Sequence, residues 1–163
     1  LRLADAKFLA GCSGMVLDYA AREPFWRRNL NYNHGTGHGV GYLGNIHEAP
    51  IGFRWKATRD AMCEIEPGMV ITNETGIYIE GSHGIRIENE LLVRAGEKNE
   101  YGQFLYFEPL TFVPIDLDAL RPELMTEEEK QLLNAYHQSV YEKISPYLEA
   151  EEKEWLKKYT RAI

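Results

Sequence analysis

Apolar residues recur at Met15, Val16, Leu17, Tyr19, Ala20, Phe25 and Trp26. This spacing predicts a helix over about 15–28, with Pro24 as its weak point. Gly11-Cys12-Ser13-Gly14 breaks the pattern before it, and residues 1–10 mix apolar and polar positions without a clear period. The run His34-Gly35-Thr36-Gly37-His38-Gly39-Val40-Gly41 places four glycines in eight residues, which argues against a continuous helix. The stretch through Pro50-Ile51-Gly52 reads as loop. Glu66-Pro67-Gly68 is a turn signal, and Met69-Val70-Ile71-Thr72 and Gly76-Ile77-Tyr78-Ile79 after it read as strand. Glu80 to Gly84 reads as a turn, with a returning strand over Ile85 to Val93. Phe104-Leu105-Tyr106-Phe107 and Leu110-Thr111-Phe112-Val113 read as two further short strands, the second ended by Pro114. Thr126-Glu127-Glu128-Glu129 opens a helix with a capping box. Leu132, Leu133, Tyr136, Val140, Tyr141 and Ile144 then follow at helical spacing. Pro146 interrupts, and a last helix is predicted from about Tyr147 to Tyr159.

Composition narrows the class. The 163 residues fit one domain, and 18 basic against 25 acidic residues give a net charge of −7. That argues against a nucleic-acid binder resting on overall positive charge, although a local basic patch would survive it. No stretch approaches the ~18 consecutive apolar residues of a membrane span, and no signal segment opens the chain. Cys12 and Cys63 are too few for a disulfide framework; they read as buried small apolar residues in a reduced compartment. The chain starts at Leu1, and its first residues look like the middle of something longer.

Candidate chemistry concentrates in the middle. His34, His38, His47 and His83 lie in one stretch. Glycines around the first two allow close approach to a bound group. Neutral imidazole is a common metal ligand, and the same run also suits a tight structural loop. A hairpin centred on Gly81 would set Glu74 directly opposite Glu88, with Cβ atoms ~5 Å apart. Two carboxylates that close repel. A shared proton, Arg86 or a metal ion would offset this, and an exposed glutamate pair on a solvated sheet face is the plain alternative. The apolar neighbours Val70, Ile71, Ile77, Ile85 and Ile87 argue against a freely solvated edge. His137 reads as structural, and Ser82 beside His83 is not a nucleophile motif.

His34 to Gly41, Asn45-Ile46-His47-Glu48, Pro67 to Glu74 and Gly84-Ile85-Arg86-Ile87-Glu88-Asn89 occur in the order seen in Xaa-Pro aminopeptidases (aminopeptidase P). The chain resembles the C-terminal half of that family's pita-bread metallopeptidase domain. Leu17-Asp18 and Ala21-Arg22 resemble the helix before its histidine loop. Phe107 to Thr111, Val113-Pro114-Ile115 and Leu133 to His137 resemble the extension of its longer, cytosolic members. The resemblance implies an α+β fold: half of a pita-bread sheet over about 30–113, one helix before it and two after. Residues 1–107 would be catalytic domain and 108–163 a helical extension. It further implies His38, Glu74 and Glu88 as metal ligands, with Glu74 also moving protons. His34 and His47 would contact substrate, and Arg86 would support the bridging Glu88. Two divalent ions, manganese by family habit, would activate water against the bond preceding a proline in second position. Two aspartate ligands are expected upstream, so this chain holds three of five ligands and alone would be inactive. Thr75 replaces the family's usual proline. Peptide substrates, a homodimer, a cytoplasmic location, and no nucleic-acid or membrane partner complete the expectation. A non-catalytic binding module and a prolidase-type dipeptidase are the alternatives. Half a sheet would also expose apolar surface and promote association.

Overall fold

The computed structural model describes residues 1–163. They form two units, Arg2–Leu110 and Thr111–Ile163. In the first, strands β1 (Lys7–Leu9), β2 (Gly37–Gly39), β3 (Glu48–Phe53), β4 (Val70–Asn73), β7 (Asn89–Asn99) and β8 (Gly102–Pro109) make one six-stranded sheet of order β1-β8-β7-β4-β2-β3. Every pairing in it is antiparallel. Strands β5 (Gly76–Ile79) and β6 (His83–Arg86) form a separate hairpin.

The sheet exists because alternate positions are apolar. Leu91 and Val93 of β7, and Leu105 and Phe107 of β8, point into one core with Ile71 and Phe53. Helix α1 (Gly14–Trp26) contributes Leu17 and Ala21 to that core. Each of the leucine, isoleucine, valine and phenylalanine side chains stabilises by about 1.5–3 kcal/mol on full burial. Pro24 lies in the last turn, where it removes one bond just before the helix ends.

Several expectations change. Pro50-Ile51-Gly52 lies within strand β3, because Phe53 is fully buried and His38 pairs with Gly52. β3 is an edge strand, where a proline is tolerated. β1 shows no sequence period but pairs with β8. The returning strand is broken in two between β6 and β7. At the break Glu74 turns away from β7 and donates its N–H to Thr36 O (2.8 Å). Leu110 to Val113 is not a strand. Val113 N–H donates to Tyr136 Oη (3.3 Å) and Ile115 N–H to His137 Nε2 (3.0 Å), so side chains satisfy backbone that a neighbouring strand would have paired. Cys12 and Cys63 are free thiols and only half-buried, not buried.

The second unit holds α2 (Glu127–Ile144) and α3 (Ala150–Tyr159). The Thr126–Glu129 capping box is complete. α3 starts later than expected, because Ser145 to Tyr147 form a tight 3₁₀ turn around Pro146 and Glu149–Glu152 supply a second capping box. Tyr136, Val140 and Leu156 form the core with Phe112, Ile115 and Leu148. His137 is fully buried, and burial holds its pKa below the ordinary value. No helix is long and apolar enough to cross a membrane.

Candidate metal centre

Glycine lets β2 reach β4. A Cβ on Gly37 would stand 1.8 Å from Thr72 O, so no other residue permits this approach. His38 follows directly. Its N–H donates to Thr72 Oγ1 (3.1 Å), and that hydroxyl donates to Glu74 Oε1 (3.0 Å). Thr72 therefore sets His38 and Glu74 relative to one another.

His38 Nδ1 lies 2.9 Å from Gly39 O, which fixes it as the protonated nitrogen. Nε2 then faces Glu74 Oε1 at 3.2 Å. Two lone-pair donors at that separation need a cation or a proton between them. Two ligands held about 2.1 Å from one ion stand about 3.0 Å apart in octahedral geometry and about 3.4 Å apart in tetrahedral geometry. The observed 3.2 Å lies between these values. Imidazole and carboxylate together suit borderline and hard divalent ions.

The Gly81 turn sets the expected register on both sides, but no strand pairing joins Glu74 to Glu88. The registers Asn73↔Asn89 and Gly76↔Arg86 flank them, and both glutamates fall in the gap between the two ladders. Arg86 lies between them, with Nη2 3.0 Å from Glu74 Oε2 and Nη1 3.7 Å from Glu88 Oε2. Arg86 is thus placed to act as one of the three offsets open to the sequence. Glu74 is buried and Glu88 exposed, so no group of three His, Cys, Asp or Glu side chains converges on one point. The apolar neighbours do not shield Glu88, because every residue of β6 is exposed.

His47 is exposed, and its ring lies 4.0 Å from that of His38. His34 Nε2 is 3.3 Å from Gly76 O, and its ring meets Tyr78 edge-on. His83 sits on the exposed hairpin against Ser82, apart from the other three.

The His34 loop is anchored by a buried ion pair on α1. Arg22 Nε donates to Asp18 Oδ2 (2.7 Å), and Arg22 also donates to Tyr32 O (2.7 Å) and His34 O (2.8 Å). Its guanidinium lies 3.9 Å above the Tyr32 ring centre. Thr36 Oγ1 donates to Asp18 Oδ1 and accepts from Tyr32 Oη. Burial pushes the Tyr32 phenol up to about 12. The sequence reading gave these residues no role at the site. Their signals were the four-residue spacing of Asp18 and Arg22 and the resemblance of their helix to the one before the family's histidine loop.

An antiparallel sheet that aligns a histidine and a carboxylate as prospective metal ligands defines the C-terminal part of a pita-bread metallopeptidase. The chain belongs to metallopeptidase family M24. That family's model matches residues 2–95, and the model of the C-terminal region of peptidase M24 matches residues 103–163. A probable Xaa-Pro aminopeptidase P of Talaromyces marneffei is 43% identical over all of this chain and 25% of its own length. Aminopeptidase P2 of Arabidopsis thaliana is 43% identical over all of this chain and 23% of its own. Among solved structures, the X-prolyl aminopeptidase of Caenorhabditis elegans, a cytosolic enzyme with a di-nuclear active site, superposes with a TM-score of 0.88. It is 36% identical over 99% of this chain and 27% of its own. The Xaa-Pro dipeptidase of Bacillus anthracis gives a TM-score of 0.54 at 33% identity, over 71% of this chain and 28% of its own. The chain thus spans about a quarter of the length of the relatives it matches.

Proposed function

We propose that this chain is the C-terminal part of an Xaa-Pro aminopeptidase, which removes the first residue from peptides with proline second. The observation that carries this is the anchored His38–Glu74 pair, with Nε2 facing Oε1 at 3.2 Å. His38, Glu74 and Glu88 would hold two divalent ions, manganese by family habit, together with two aspartates from upstream chain. Such a pair of ions, when bound, lowers the pKa of water and polarises the carbonyl under attack.

The chain's own residues do the rest. Thr72 fixes the Glu74 carboxylate, which passes a proton towards the leaving amine. Gly39 O holds the His38 tautomer. Arg86 keeps two acids tolerable at close range. His34, kept in place by Arg22, and His47, exposed beside His38, orient the scissile carbonyl. Residues 1–107 serve as catalytic domain and 108–163 as extension. The whole protein acts as a cytoplasmic homodimer on peptides, while this chain alone, with three of five ligands, is inactive.

The test is manganese-dependent release of the first residue from an Xaa-Pro-Xaa tripeptide by the whole protein, followed by mass spectrometry. His38→Ala and Glu74→Gln should each lower kcat/KM by about a thousandfold or more. Turnover that survives both substitutions refutes the assignment. Cleavage of dipeptides alone would assign a prolidase-type activity instead.

A further inference from the structure

We propose that His137 is an acid-operated latch: it holds residues 111–116, the strap that opens the second unit, against α2 and releases them when its imidazole takes up a proton. The inference stands on that unit alone and does not depend on the peptidase reading. Three features of the geometry carry it.

First, side chains of α2 stand in for a neighbouring strand. Tyr136 Oη accepts from Val113 N–H (3.3 Å) and donates to Val113 O (2.9 Å). Two residues further on, His137 Nε2 accepts from Ile115 N–H (3.0 Å). Of these anchors, the imidazole is the one whose protonation state changes between pH 5 and 8.

Second, an accepting Nε2 makes the ring neutral, with its proton on Nδ1. His137 is fully buried, and Nδ1 has no hydrogen-bond partner. No acceptor therefore waits to share a positive charge at that end of the ring.

Third, no anion faces the ring from any side. One turn away on α2 stand Leu133, Asn134, Val140 and Tyr141, none of them charged at neutral pH. On the strap, Asp116 accepts from Asp118 N–H (2.9 Å), and Asp118 meets Arg161 at 3.8 Å. Lys143 lies over the Phe112 ring, and Glu149 and Glu152 close the capping box of α3. Burial and the Ile115 bond are the two influences on His137, and burial, the larger, holds its pKa down.

Protonation in place would set Nε2–H against Ile115 N–H, donor against donor. It would also leave an unpaired cation in a site closed to water. The unit avoids both by opening: the strap leaves α2, and the ring protonates in water. Phe112 and Ile115, which pack on the small core, leave with the strap. Linkage sets the size of the effect. An open ring titrates at about pH 6.5, whereas the closed ring resists the proton to lower pH. Opening therefore becomes about tenfold easier between pH 7.5 and 5.5.

The experiment follows amide exchange in the whole protein at those two pH values, by mass spectrometry with residue-level fragmentation and correction for intrinsic exchange rates. Protection at Ile115 should fall about tenfold at pH 5.5, while Val140 in the middle of α2 keeps its own. His137→Gln keeps an acceptor and takes up no proton in this range, so the fall should vanish. His137→Phe removes the acceptor and should lower Ile115 protection equally at both pH values. Tyr136→Phe covers the case in which neither variant folds: it loses the Val113 bonds and should keep the tenfold fall at Ile115. Constant protection at Ile115 in the unsubstituted protein overturns the proposal. So does a fall that Val140 shares in full, which is general acid loosening, or one that persists in His137→Gln or disappears in Tyr136→Phe.

Discussion

Replacing Arg22 with methionine tests whether the buried pair on α1 holds the histidine loop. Arg22 and Asp18 have side-chain exposures of 1% and 0%, so water screens neither. Methionine keeps most of the volume and removes the charge together with the bonds to Asp18, Tyr32 and His34. Asp18 then keeps Thr36 as its remaining donor. Breaking a buried pair from one side costs about 3–5 kcal/mol, because the surviving charge stays in a low-dielectric interior. For a unit of about a hundred residues this lowers Tm by roughly 12–20 °C. Thermal and urea melts followed by circular dichroism give the value.

A double variant sharpens the result. Asp18→Leu with Arg22→Met leaves no orphaned charge, so it should be less destabilised than Arg22→Met alone. If Arg22→Met costs under about 1 kcal/mol, or if the double variant costs the sum of the singles, the pair is not the anchor described. The His34 loop should also loosen in the single variant, seen as faster amide exchange at Thr36, whose N–H donates to Phe53 O.

Three further outcomes follow from the structure. Gly37→Ala should displace β2 from β4, because its Cβ would stand 1.8 Å from Thr72 O; a melt should fall by several degrees and manganese binding should weaken in calorimetry. The pKa of His137 is lowered by burial, so its unfolded form binds the proton more tightly than the folded one. Its contribution is full above about pH 6.5 and is lost as pH falls below that. Urea melts at pH 7.5 and 5.5 should show a drop that His137→Gln reduces. Tyr32 is shifted the other way, to about 12. Its contribution is complete below about pH 10 and is lost as pH rises towards 12. Melts at pH 9 and 11 should show that loss, and Tyr32→Phe should abolish the pH step.

What the sequence made legible follows from which forces are local. Helices α1 and α2 came out near their bounds because a 3.6-residue apolar period is written within each segment, joined in α2 by a capping box. The β5–β6 register came out because one glycine turn sets it. β1 and β3 were hidden because each owes its strand state to a partner far along the chain, Tyr106 for Lys7 and His38 for Gly52. Leu110 to Val113 misled for the opposite reason. Its β-prone residues would suit a ladder, but α2 side chains reach its carbonyl and amide groups first.

The site divides in the same way. His38 and Glu74 were legible as types that bind metal, and the Gly81 turn set the register on either side of Glu74 and Glu88 without pairing the two. Burial was not legible, and burial decides their behaviour: Glu74 is locked by Thr72 and Arg86, whereas Glu88 is exposed beside the same arginine. Arg86 therefore spans a rigid acid and a freer one, and a cation bound between His38 Nε2 and Glu74 Oε1 shares that carboxylate with the guanidinium on Oε2. Metal affinity should then depend on how easily Arg86 swings towards Glu88. Arg86→Lys, which lacks the fork able to hold both acids, separates these roles: it should tighten manganese binding at Glu74 while weakening any turnover that needs the two glutamates aligned.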